Sequence, residues 1–164
     1  MVEMEIFGLA LDENSKSPIL ILKEEGGRAL PIWIGAMEAM AISMALNKVP
    51  FPRPMTHDLL LSAIRKMDGS VVRVEVTDLE SGTFYAEIVI ASGEDTIRLD
   101  SRPSDAIALA VRAKCPILVG DGVLEEAGAP MQEEGGEAVI KTEDADKWAD
   151  ELEKFSEEET KYKM

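Results

Sequence analysis

Three apolar segments that suit β-strands precede an alanine-rich helix, and this succession occurs twice in the 164-residue chain. Polar turns containing Gly, Ser or Asn separate the segments. In the second set, Val72, Val74 and Val76 occupy alternate positions, the period of a half-buried strand. The segments are MEIFGLALDE, SPILILKEE and RALPIWIG in the first set, and SVVRVEVTDLE, TFYAEIVIA and DTIRLDS in the second.

The two helices also resemble each other residue by residue. When Glu38 is aligned with Asp105, EAMAISMAL (38–46) matches DAIALAVRA (105–113), and both begin with an acid followed by alternating alanines. Alanine-rich amphipathic helices can resemble one another by chance, but the shared strand order favours an internal duplication. We therefore predict an α+β fold, with a duplicated three-strand-plus-helix repeat around a mostly antiparallel sheet.

Two further segments complete the organisation. After the Pro-rich linker KVPFPRPM, THDLLLSAIRKMDG predicts another helix, with Thr56 as its N-cap. We predict one domain over residues 1–130 and an acidic, helical, partly disordered C-terminal extension over 131–164. Within that extension, Trp148 and Leu152 share one apolar helix face.

The formal net charge is −15, and the part from Met131 onward contains 12 acidic and 5 basic residues. Proteins that bind nucleic acid usually present a basic surface, so binding here would require a local basic patch or divalent cations. Cys115 is the single cysteine, which excludes an intramolecular disulfide and is typical of a reducing cytoplasm. No signal peptide or membrane-spanning run is recognisable, and we expect a cytoplasmic protein without membrane contact.

Several common catalytic signatures are absent from the sequence. A single histidine excludes the HExxH zinc motif, and a single cysteine excludes a CxxC zinc site. The glycine-rich phosphate-binding motifs GxxxxGKS/T and GxGxxG do not occur in the sequence. Carboxylates remain, and Mg²⁺ or Mn²⁺ are the cations they prefer. We expect no organic cofactor.

Three acids, Glu38, Asp58 and Asp105, lie at or near predicted helix starts. The helix dipole and the free N–H groups stabilise an acid there, so capping alone explains them. With Pro103 in the first position of its helix, Asp105 falls near N3. Arg102 opposes the dipole, and therefore requires a carboxylate or a phosphate as partner.

Two other residues, one in the linker and one just after it, could belong to a site. His57 can transfer protons near neutral pH, although it can also be structural. It adjoins Asp58, but neighbouring residues on a helix do not face each other, so each requires partners elsewhere. Arg53, between two prolines, has no evident structural reason.

The strings PRPMTHDLL (52–60) and DSRPSDAIALAVR (100–112), preceded by IGAMEAMAI (34–42), resemble the bifunctional nuclease domain family. The resemblance covers roughly residues 1–129. It implies an α+β domain with an internal duplication and nuclease activity on DNA and RNA. The positions that match the motifs are Glu38, His57, Asp58, Arg102, Ser104 and Asp105.

Our first hypothesis is a nuclease assisted by a divalent metal. Asp105 and Asp58, with Glu38, would hold the cation, and His57 would transfer protons beside the catalytic carboxylates Asp58 and Asp105. The substrate-binding residues would be Arg102, Ser104 and Arg53. The hypothesis requires these side chains to share a cleft.

The alternative is a non-catalytic, homo-oligomeric binding or regulatory module. The acidity and the methionine-rich helix favour it, because methionines suit an adaptable contact surface. It predicts an internal Arg102–Asp105 salt bridge and no cleft lined by carboxylates.

Overall fold

The computed structural model describes residues 1–131, in which eight strands form one sheet accompanied by four helices. The predicted α+β class is confirmed. The helices are α1 (Ala36–Leu46), α2 (Thr56–Lys66), α3 (Pro103–Ala113) and α4 (Asp121–Ala127). The strands are β1 (Val2–Leu11), β2 (Pro18–Lys23), β3 (Arg28–Trp33), β4 (Gly69–Glu80), β5 (Thr83–Ser92), β6 (Asp95–Ser101), β7 (Ile117–Val119) and β8 (Ala129–Pro130).

The strand order in the sheet is β6-β5-β4-β7-β1-β2-β3-β8. Each predicted three-strand set is an antiparallel meander, and β7 lies between the first strands of the two sets. Within residues 1–131, β4 and β7 form the single parallel pair. The duplication itself stays a prediction, and the predicted C-terminal helix lies outside the described residues.

The helix α3 is the most deeply buried of the four. It packs against α1 and α2 and against the central strands β4 and β5. Ile107 and Leu109 are fully buried, and the alanines between and beside them let the helix approach its neighbours closely. Because α3 is fixed on several sides, the residues in its first turn have defined positions.

The starts of α2 and α3 differ in how they are capped. Met55, not Thr56, is the N-cap of α2, so the predicted cap was wrong by one residue. The carboxylate of Asp58 at N3 accepts the Met55 N–H at 3.0 Å, which satisfies a donor without a cap hydroxyl. The N-cap of α3 is Arg102, and Asp105 occupies N3 as predicted.

None of the helices within residues 1–131 combines the length and the apolar composition needed to cross a membrane.

Replacing Leu109 by alanine tests the role of α3 as the core helix. We expect Leu109→Ala to lower the free energy of unfolding by about 2–5 kcal/mol, because it leaves a cavity in a fully buried layer. The matched control is Leu59→Ala on α2, where the side chain is 60 % exposed and the expected change is at most about 0.5 kcal/mol. Urea unfolding followed by circular dichroism measures both. Equal losses would contradict this assignment of the core.

Candidate active site

A cleft of about 250 Å³ lies among α1, α2 and α3. Methionines of α1 and the methionine before α2 provide much of its apolar lining. Charged and polar groups come from the first turns of the three helices and from the last turn of α3. The lining residues are Met37, Glu38, Met40, Ala41, Met44, Met55, Thr56, His57, Arg102, Asp105 and Arg112.

Arg102 joins the first turns of α1 and α3. Its Nη1 donates to Oε1 of Glu38 at 2.8 Å, and its Nε donates to Oδ2 of Asp105, also at 2.8 Å. The hydrogen bonds with Asp105 and Glu38 raise the pKa of Arg102, so the guanidinium stays charged. The cation that opposes the helix dipole therefore has carboxylate partners, one of the two kinds expected from the sequence.

Gly35 makes the position of Glu38 possible. It is the N-cap of α1, and a Cβ atom added there would collide with Oε2 of Glu38. The absence of a side chain lets the carboxylate fold over the start of the helix and still reach Arg102.

Asp105 also binds His57, whose side chain is 13 % exposed. Nε2 of His57 lies 3.0 Å from Oδ1 of Asp105. Partial burial acts to raise the pKa of Asp105, but the hydrogen bonds from Arg102 and His57 outweigh it and hold the pKa below its ordinary value. An ionised carboxylate only accepts hydrogen bonds, so Nε2 carries the proton and Nδ1 of a neutral imidazole is the basic nitrogen.

Asp58 contacts a different residue from the one that the adjacent His57 contacts. Nε of Arg112 donates to Oδ1 of Asp58 at 2.9 Å, and Nη1 of Arg112 donates to the carbonyl of Ala108 at 2.8 Å. The other carboxylate oxygen accepts the Met55 N–H that caps α2. Both oxygens of Asp58 thus serve the attachment and capping of α2, and the residue lines a neighbouring cleft at the C-terminal ends of α1 and α3.

The structure brings together four of the residues predicted for the site, namely Glu38, His57, Arg102 and Asp105. Ser104 is buried at N2 of α3 and lines a neighbouring cleft. Arg53 is exposed and outside the lining of the cleft. Sequence reasoning missed Arg112, although its position seven residues after Asp105 places both on one face of α3.

The positions of Glu38, Asp58 and Asp105 indicate whether these three acids could bind one metal ion together. Glu38 and Asp105 contact the same guanidinium, while Asp58 contacts Arg112. Within residues 1–131, no three His, Cys, Asp or Glu side chains form a group that could hold a metal ion. As arranged, these side chains do not fit a three-carboxylate centre, and the Mg²⁺ or Mn²⁺ site stays a prediction. The chemistry that the arrangement itself offers is proton transfer and hydrogen-bond donation.

Comparison with known proteins identifies relatives of the chain. An uncharacterized protein of Mycobacterium tuberculosis (strain H37Rv) is 38 % identical over 158 residues, which cover 96 % of this chain and 92 % of that protein. Bifunctional nuclease 1 of Oryza sativa subsp. japonica is 33 % identical over 116 residues, covering 68 % of this chain. Bifunctional nuclease 1 of Arabidopsis thaliana is 29 % identical over 130 residues, covering 76 %. The aligned parts make up 35 % and 40 % of the two plant proteins.

The family model of the bifunctional nuclease domain matches residues 20–132. That range contains every residue that lines the cleft. The chain belongs to the bifunctional nuclease domain family.

Proposed function

We propose that the chain hydrolyses phosphodiester bonds of DNA or RNA in the cleft among α1, α2 and α3. The observation that carries the proposal is the continuous set of hydrogen bonds from His57 through Asp105 and Arg102 to Glu38. It gives a histidine with a fixed proton on one nitrogen and an exposed guanidinium beside it. The family membership and the plant relatives named as nucleases support the same reaction.

His57 is the acid–base group in this proposal. Asp105 holds the proton on Nε2, so Nδ1 can take a proton from an attacking water and later return it to the leaving oxygen. The ionised carboxylate also stabilises the imidazolium that forms during the transfer. Since the hydrogen bonds from Arg102 and His57 lower the pKa of Asp105, its carboxylate stays ionised near neutral pH.

Arg102 is the group that contacts the phosphate. A guanidinium has five N–H donors, and the two hydrogen bonds to Glu38 and Asp105 use one each from Nη1 and Nε. Three N–H donors remain on a side chain that is 65 % exposed. They can donate to phosphate oxygens as negative charge develops there.

The charges at the site set a condition on substrate binding. Two arginines and two carboxylates line the cleft, so their charges balance and leave no positive excess. The whole chain carries −15. Long-range attraction of a polyanion is therefore weak, and the proposal includes Mg²⁺ or Mn²⁺ as cations that reduce the repulsion.

A non-catalytic binding module is the second candidate function. The internal Arg102–Asp105 salt bridge, which that hypothesis predicted, is present at 2.8 Å. However, Glu38 and Asp105 both line the cleft, and that hypothesis predicted no such cleft. The homo-oligomer stays part of this second proposal, and light scattering at several concentrations tests it.

Hydrolysis of labelled single-stranded RNA and DNA by identically purified variants tests the nuclease proposal. We expect His57→Ala to lower the rate by about 10²–10⁴-fold, because the proton acceptor is lost. Asp105→Asn should also impair hydrolysis, since an amide does not fix the imidazole proton as a carboxylate does. Parallel reactions with Mg²⁺, Mn²⁺ or EDTA report whether a cation is required.

The matched control for this assay is Asp95→Asn, which changes an exposed acid at the start of β6 and should hydrolyse as the wild type does. Circular dichroism confirms that each variant is folded. Equal hydrolysis by all four proteins would refute the assigned residues. Absence of hydrolysis in every sample would favour the binding module.

The lowered pKa of Asp105 also predicts a pH dependence of stability. A carboxylate with a depressed folded pKa contributes stability that is complete above its unfolded pKa, near 3.8, and is lost as the pH falls through the folded value. We expect Asp105→Asn to lower the urea midpoint at pH 5, where the wild-type carboxylate is ionised, and this difference in midpoint to shrink as the pH falls below 3.8. A deficit that is constant or grows on acidification would show that Asp105 is not ionised by its partners.

A further inference from the structure

A second cleft, of about 400 Å³, adjoins the proposed active site. Glu38 and Arg102 line both clefts, so their ion pair forms the common border. We propose that the second cleft binds an unpaired base of single-stranded nucleic acid, stacked on the ring of Trp33. This inference rests on the proposed function, because it extends the substrate from the phosphate at Arg102 to a neighbouring base.

Trp33 is exposed but held in place. It is the last residue of β3, and 55 % of its surface is accessible. Its Nε1 donates to Oδ2 of Asp12 at 3.3 Å, and the hydroxyl of Ser15 donates to the same oxygen at 2.7 Å. These hydrogen bonds, the one from Ser15 most strongly, lower the pKa of Asp12. The carboxylate therefore stays ionised and accepts the hydrogen bond from the indole. A large aromatic ring that is oriented and still exposed suits stacking, since little freedom is lost on binding.

The rest of the cleft is compatible with a flat aromatic ligand. Phe84 is partly buried at the start of β5 and contributes a second aromatic side chain. Gly82, in the turn before it, has φ +79°, and no atom lies within 4 Å of the place where its Cβ would be. The turn therefore leaves open space, and Arg102 with the buried Ser104 lies on the side toward α3.

The charge of the chain favours a base as the main source of affinity. Two carboxylates already neutralise the charge of Arg102, and the carboxylate of Asp12 lies beside Trp33. A nucleic acid held by phosphate contacts alone would therefore bind weakly. Stacking does not depend on a net positive charge, and every base in DNA or RNA offers a π-face. In a duplex the neighbouring bases cover those faces. The cleft therefore predicts a preference for single strands over duplexes.

Binding of a fluorescent oligothymidylate to the full chain tests this inference, with His57→Ala as the parent so that the probe is not cleaved. We expect Trp33→Ala to weaken binding by about 5- to 150-fold, and Trp33→Phe to retain most of it because a ring remains. The control is Tyr85→Ala, which removes an exposed aromatic next to Phe84 that does not line the cleft. Because the inference assigns one phosphate contact to the bound strand, the affinity of the parent for the oligothymidylate should change by less than about threefold between 50 and 200 mM salt.

A duplex of the same length is the second probe, and it should bind more weakly than the single strand. Equal binding by Trp33→Ala and the parent, equal binding of duplex and single strand, or no binding by the parent would each overturn the inference. Hydrolysis by the wild type is measured separately. If the wild type hydrolyses nucleic acid and Trp33 has no effect, the base-binding inference is refuted and the proposed reaction stands. If binding depends on Trp33 but no hydrolysis occurs, the proposed reaction is refuted and the base-binding inference stands.

Discussion

The guanidinium of Arg102 joins the acids in the first turns of α1 and α3. Each helix has an acid at N3, where the dipole stabilises negative charge, and two such acids side by side would repel each other. Arg102 lies between them and donates to both. Asp105 can then present its other oxygen to His57. The orientation of the histidine therefore depends, through Asp105, on a cation contributed by the same helix.

The interactions that orient the side chains of the cleft and those that stabilise the fold lie in different parts of the structure. Arg102 is largely exposed, and exposed ion pairs contribute little to the free energy of unfolding. The burial of α3 against β4, β5 and the neighbouring helices supplies the stabilisation instead. Because the core fixes the helix and the ion pairs only orient side chains, the polar groups of the cleft can rearrange around a substrate at small cost to the fold.

Local patterns in the sequence predicted the elements but not how they meet. Strand alternation and helix-start signals located both three-strand sets, α1, α3 and the N3 position of Asp105. The partner of Asp58 could not be predicted, because periodicity shows which face of a helix is polar and not which other element that face contacts. Arg112 is 54 residues away in the chain and reaches Asp58 only because α2 packs along α3. The cap at Met55 was missed because a hydroxyl residue was expected at the N-cap, whereas Met55 starts the helix with its own N–H donating to the N3 carboxylate of Asp58.

An acidic chain that acts on a polyanion has to rely on short-range interactions. A basic protein gains affinity by releasing counterions from many phosphates, and that source is small here. Hydrogen bonds from a neutralised guanidinium and stacking on an oriented indole operate only at contact, so they do not attract nucleic acid from a distance. Such a site would select for the local form of the substrate, an accessible phosphate beside an unstacked base, more than for its total charge. If the proposed function holds, the net negative charge of the chain would disfavour long duplexes, while a flexible single strand could still enter the cleft.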